Sequence, residues 1–149
     1  IKKTNRIFYE SYGVEAPDDD INELQKFSRK IRKGQPEFRK NLLKMYQNTC
    51  VISNCNVKQA LEAAHIIKHS ISGINNSKNG LLLRSDIHTL FDLGEIKINP
   101  WNFIVEVKES LKNSNYWQYN GKKINKSINE AQPYPSMRFL RDKYNSTMP

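Results

Sequence analysis

Ile21, Leu24, Phe27 and Ile31 recur at helical spacing, and the Pro17-Asp18-Asp19-Asp20 run before them reads as a loop whose Asp19 or Asp20 caps the helix. The later half of this helix, with Lys26, Arg29, Lys30, Arg32 and Lys33, is strongly basic. It reads either as a solvated face complementing the C-terminal end of the helix dipole or as a contact to a polyanion. Gly34 stops it. Pro36 suits the first turn of a second helix, which runs from Glu37 to Gln47 with Phe38, Leu42, Leu43 and Tyr46 on one side. Thr49 to Cys55 reads as a strand entering a turn.

The middle of the chain changes period. Leu61 to Ile67 is short and mostly apolar, and Ser70 to Lys78 is rich in turn-forming Ser, Asn and Gly. Gly80 to Arg84 is a compact apolar run. Ser85 or Asp86 then reads as the N-cap of a helix that Gly94 ends as its C′ residue. The pattern is strand, polar loop, strand, helix. Further on, Glu95–Ile98 and Phe103–Val107 read as a hairpin about Asn99-Pro100-Trp101-Asn102. Asn120-Gly121 predicts a second hairpin between YWQY and KKI. After Pro133 and Pro135, residues 136–144 read as a short helix, and residues 145–149 as a frayed end.

Composition sets the frame. The 149 residues are 38% hydrophobic and 26% charged, enough apolar residues for one small folded unit and too many for disorder of the whole. No apolar run approaches the roughly 20 residues of a membrane span, no secretory signal is visible, and the low cysteine count fits a reducing cytosol, so a cytoplasmic location is expected. The chain opens on Ile1, which leads to the expectation of a fragment, a processed form or missing upstream sequence. A net charge of +9 suits binding to a polyanion through counterion release, without separating DNA from RNA. The two cysteines, Cys50 and Cys55, are too few for a disulfide framework or a closed zinc site and are expected as buried thiols.

All three histidines, His65, His69 and His88, fall between Leu61 and Asp92. His88 and Asp92 are four residues apart and project from one helix face, where an imidazole and a carboxylate can share a metal ion. The runs AAHI, NGLLLR and DIHTLFD, with the lead-in GQPEFRKNLLKMYQNTCVISNC, resemble the HNH endonucleases, in particular the bacterial group common in restriction and phage-defence proteins. The resemblance implies an α+β fold: a ββα-metal core, flanked by N-terminal helices and by C-terminal hairpins and a short helix. It divides the chain into an N-terminal helical segment, 1–33, and a nuclease domain, 34–149.

His65, Asn79 and His88 stand where the three family letters fall. The resemblance implies His65 as the general base that deprotonates the attacking water. Histidine suits that task because its ordinary pKa of about 6.5 leaves it largely neutral in the cell. Asn79 is expected to bond backbone across the loop and fix the His65 segment, and His88 to ligate the metal with Asp92. Many relatives carry an acidic residue or histidine directly before the base; Ala64 stands there in this chain. Either the ion is held by His88, Asp92 and waters, or Glu62, which by strand alternation reaches the same side, contributes as a further ligand. Such a site suits Mg²⁺ or Mn²⁺, and Zn²⁺ or Ni²⁺ would also fit. Lys68, His69, Lys78 and Arg84 ring the motif as candidate DNA-phosphate contacts. The expected partner is DNA, with a homodimer or a separate targeting domain or subunit supplying specificity and no membrane. The competing reading, to which Ala64 gives weight, is a catalytically silent HNH-like module that binds DNA or another protein; an RNase rests on charge alone.

Overall fold

Leu61–His65 (β1) and Gly80–Arg84 (β2) pair antiparallel, with Leu61 opposite Arg84 and His65 opposite Gly80. The computed structural model describes residues 35–67 and 77–146. The expected helix over residues 21–33, the segment before it, most of the loop joining β1 to β2, and the last three residues lie outside the described residues. The apolar run Leu81-Leu82-Leu83 is buried throughout, which is why β2 lacks polar alternation: both faces of the hairpin are covered.

Helix 35–45 (α1) covers the face that carries His65 and Gly80. Phe38 and Leu42 are fully buried there, and a Cβ built on Gly80 would stand 2.7 Å from both Leu42 Cδ1 and Phe38 Cζ. Glycine at position 80 therefore sets how closely α1 approaches the sheet. The helix ends on two left-handed residues, Gln47 (φ 52°) and Asn48 (φ 56°), and the Asn48 N–H donates to the Leu43 carbonyl at 2.8 Å. Thr49 to Cys55, expected as a strand entering a turn, forms the turn without the strand: the Cys50 N–H bonds the Cys55 carbonyl, with Asn54 at φ 63°. Buried Cys50 is a packed thiol whose Sγ accepts the N–H groups of Ser53 and Arg84, both at 3.3 Å.

Ser85–Asp92 (α2) covers the other face with Ile87 and Phe91 buried. Its start differs from expectation. Arg84 occupies the N-cap without a side-chain cap bond, Ser85 Oγ donates instead to the Ala60 carbonyl at 3.1 Å, and Asp86 is turned toward Arg84. Its end follows the pattern: Gly94 (φ 75°) donates to the Phe91 carbonyl and Glu95 to the Leu90 carbonyl, a Schellman motif. Ile96–Ile98 (β3) and Val105–Val107 (β4) form the expected hairpin, and Asn99 Oδ1 accepts the Trp101 N–H at 2.9 Å to shape its turn.

The Asn120-Gly121 hairpin does not form as predicted. Asn115–Tyr119 is a 3₁₀ helix whose Tyr116 N–H is capped by Ser114 Oγ. Residues 122–124 return instead onto β4 and its approach, through Val105 N–H to Lys122 O and Ile124 N–H to Phe103 O. The physical reason is packing. Tyr119 is buried and Tyr116 and Trp117 pack against the core from one short helix, a grouping that period-2 alternation cannot make. Met137–Ser146 (α3) closes the end of α2: Leu140 is buried, Lys143 Nζ donates to the Asp92 carbonyl at 3.4 Å and lies 5.2 Å from the Phe91 ring centroid. No helix among the described residues is long and apolar enough to cross a membrane.

Candidate active site

The hairpin and α2 place a histidine between two carboxylates. His88, one turn into α2, puts Nδ1 2.5 Å from Glu62 Oε2 of β1 and Nε2 3.3 Å from Asp92 Oδ2 one turn further along its own helix. The imidazole and the Asp92 carboxylate are each 22% exposed and Glu62 is 47% exposed, so the cluster sits at the surface with the ring partly sheltered. Glu62, one of the two alternatives for completing the ligand set, faces the other nitrogen of the ring. One ion cannot sit on both ring nitrogens, so Glu62, His88 and Asp92 do not converge as a three-ligand cage. Among the described residues no group of three or more His, Cys, Asp or Glu side chains is arranged to hold a metal ion. What the arrangement offers is a two-ligand site, one imidazole nitrogen and one carboxylate. That chemistry suits a hard divalent cation which keeps several waters and completes its shell with substrate phosphate.

His65 ends β1 on the opposite face of the hairpin. Its ring stacks on Phe38 of α1, centroids 4.1 Å apart and planes 8° from parallel. The two imidazoles are thus held by different elements, His65 by α1 and His88 by β1 and α2. Asn79 is fully buried. Its Oδ1 accepts the Ile67 N–H at 2.9 Å, its Nδ2 donates to the Ile67 carbonyl at 3.0 Å, and its backbone carbonyl accepts the Ile66 N–H at 2.8 Å. These bonds clamp the backbone directly after His65.

The ring of proposed phosphate contacts is only partly described. Lys68 and His69 lie outside the described residues, and Lys78 is exposed just before Asn79. Arg84 is committed within the chain: Nε and Nη2 bond the two Asp86 oxygens at 2.6 and 2.9 Å, and Nη2 reaches Tyr119 Oη at 3.4 Å. Tyr116 Oη adds a bond to Asp86 at 2.8 Å. The Arg84 guanidinium holds the Asp86 carboxyl down at about 2, from an ordinary 3.8. A carboxyl depressed on folding stabilises the fold above its unfolded pKa, and that stability is lost as pH falls through the folded value. Unfolding by urea between pH 5 and 2 is therefore expected to show a smaller acid loss in Asp86→Asn than in wild type.

A basic surface that the sequence pattern did not single out lies along α1. Lys40, Lys44 and Lys58 line an open groove of about 590 Å³ with Pro36 and Arg39. Arg39 is spent on the carbonyls of Leu61 and Lys58, whereas no ion pair among the described residues engages the three lysines. The signal was present as Lys40 and Lys44 one turn apart, but the spatial neighbour Lys58 was not visible from spacing. Phe38, the stacking partner of His65, carries no sequence signal for that role beyond its place on the apolar side of α1.

A two-stranded hairpin followed directly by a helix, with an imidazole and a carboxylate side by side on that helix, defines the ββα class of nuclease-type domains. Comparison with protein-family models matches residues 50–99 to the HNH endonuclease family. This segment belongs to that family, and the match takes in both hairpin strands, α2 and β3. No curated protein matches the chain. The chain therefore carries a domain of nuclease and DNA-binding type.

Proposed function

We propose that this domain is a metal-dependent DNA endonuclease serving restriction or phage defence. His65 acts as general base, Asn79 holds the base segment, and the metal ligands lie on α2. The observation that carries the reading is His88 beside Asp92 on α2, in a segment of the HNH endonuclease family. A divalent ion, Mg²⁺ or Mn²⁺, when bound there supplies positive charge against the phosphoryl oxygens and the leaving group.

The remaining work falls to the chain. His65 accepts the proton of the attacking water at a ring nitrogen, and the stack on Phe38 and the clamp on Ile67 limit how far that ring can swing. Cleavage by this route requires one scissile phosphate to reach both the His65 ring and the α2 ligands, which the hairpin holds on opposite faces. Flanking phosphates would follow the lysines of the α1 groove and Lys78, contacts that position the duplex without reading sequence. Restriction or phage defence rests on the resemblance of the AAHI, NGLLLR and DIHTLFD runs, and targeting would come from a partner or a further domain.

The test is cleavage of supercoiled plasmid with Mn²⁺ or Mg²⁺, with chelator controls and labelled RNA in parallel. Metal-dependent nicking of DNA that RNA does not share supports the reading. A specific observation favours a second one, a silent DNA-binding module: Ala64, at the position before the base, is fully buried and supplies no ligand. A mobility shift without any metal-dependent cut would decide for it. The groove has its own test. Replacing Lys40, Lys44 and Lys58 together by glutamine should lower the salt dependence of DNA binding, log K against log salt, by about 2 to 3 in slope, roughly one per lost phosphate contact.

A further inference from the structure

We propose that Glu62 is a positioning residue which fixes the tautomer of His88, leaving Nε2 of His88 and the Asp92 carboxylate as the cation site. The inference deepens the nuclease reading and rests on it only for the identity of the ligand. Two donors bound to one ion at about 2.1 Å, at angles of about 90–109°, stand about 3.0–3.4 Å apart. The Nε2–Asp92 separation of 3.3 Å falls in that range; the Nδ1–Glu62 separation of 2.5 Å is too short for a shared ion and leaves direct hydrogen bonding as the contact. Helix geometry points the same way, because residues four apart on one face form a natural chelate. Glu62 is pinned by the β1–β2 ladder opposite Leu83, so its carboxylate approaches His88 from the strand side. A carboxylate accepting the Nδ1 proton leaves Nε2 as a lone-pair donor aimed at Asp92, and raises its basicity toward a metal.

The test starts with the metal-free protein. Long-range ¹⁵N–¹H spectra of the His88 ring should show the proton on Nδ1 in wild type and a shift toward a tautomer mixture in Glu62→Ala. Titration with Mn²⁺ alone should then show affinity about 10- to 100-fold weaker in Glu62→Ala. Glu62→Gln should recover much of that loss, because its amide oxygen can accept the same proton. Asp92→Asn should lose the site. The proposal is overturned if wild-type His88 carries its proton on Nε2, or if Glu62→Ala abolishes Mn²⁺ binding as completely as Asp92→Asn. Circular dichroism of each variant separates misfolding from loss of the site. If wild type binds no Mn²⁺, the nuclease reading fails, and the ring spectra alone still support or overturn the role of Glu62.

Discussion

His65→Ala is expected to lower metal-dependent plasmid cleavage by about 10²- to 10⁴-fold, the usual contribution of a positioned general base, while DNA binding and folding stay close to wild type. The expectation follows from what the ring touches. His65 is the last residue of β1, opposite Gly80, and one of its contacts is a stack on Phe38. Such a stack is worth about 1 kcal/mol, enough to orient a ring but too little to make the histidine a pillar of the core. Thermal melts of His65→Ala beside the cleavage assay separate the cost to chemistry from the cost to stability. Phe38→Leu offers a graded companion: the base survives, its orientation loosens, and cleavage should fall less than in His65→Ala. Supercoiled plasmid turnover and a binding isotherm, measured on the same preparations, check both. If His65→Ala cuts at the wild-type rate, the base lies elsewhere and the stack on Phe38 is packing alone.

Much of this arrangement was legible along the chain, and the parts that were not share a cause. Strand, loop, strand and helix from Leu61 to Asp92 follow from local signals: apolar runs of strand length, a Ser/Asn/Gly loop and Gly94 as helix stop. Gly94 behaved as its type dictates because a left-handed C′ residue is a local requirement. Asn120-Gly121 failed as a hairpin signal because a tertiary demand won: Tyr116, Trp117 and Tyr119 needed to reach one core together. The N-cap failed for a similar reason, since Asp86 found a stronger partner in the Arg84 fork than in free backbone amides. At the site, helical spacing placed His88 beside Asp92 correctly. Strand alternation put Glu62 on the right face but could not say which ring nitrogen it would meet, because that depends on how α2 is rotated over the sheet. Phe38 as the partner of His65 depended on α1 crossing the far face, a packing choice set by the missing side chain of Gly80.

Asn79→Ala should cost stability and activity together, and that coupling marks it off from His65→Ala. The amide is fully buried and pairs with both the N–H and the carbonyl of Ile67. Truncation leaves that donor and that acceptor without their partner and opens a small void, for a loss of about 2–4 kcal/mol. In a chain of this size that corresponds to a fall in melting temperature of about 10 °C. Aspartate is no rescue: one oxygen can still accept the Ile67 N–H, but the other is brought against the Ile67 carbonyl where the amide donated, and a charge is buried besides. Asn79→Asp is therefore expected to be at least as destabilising as Asn79→Ala, contrary to what size alone would suggest. Because Ile66 and Ile67 directly follow His65, the same loss frees the end of β1, and cleavage at a temperature where the variant is still folded should fall by about 10-fold or more as the base loses its fixed position. Thermal melts of the two variants, with cleavage assayed well below their midpoints, check this. Full activity in a folded Asn79→Ala protein would mean that the clamp serves the fold alone.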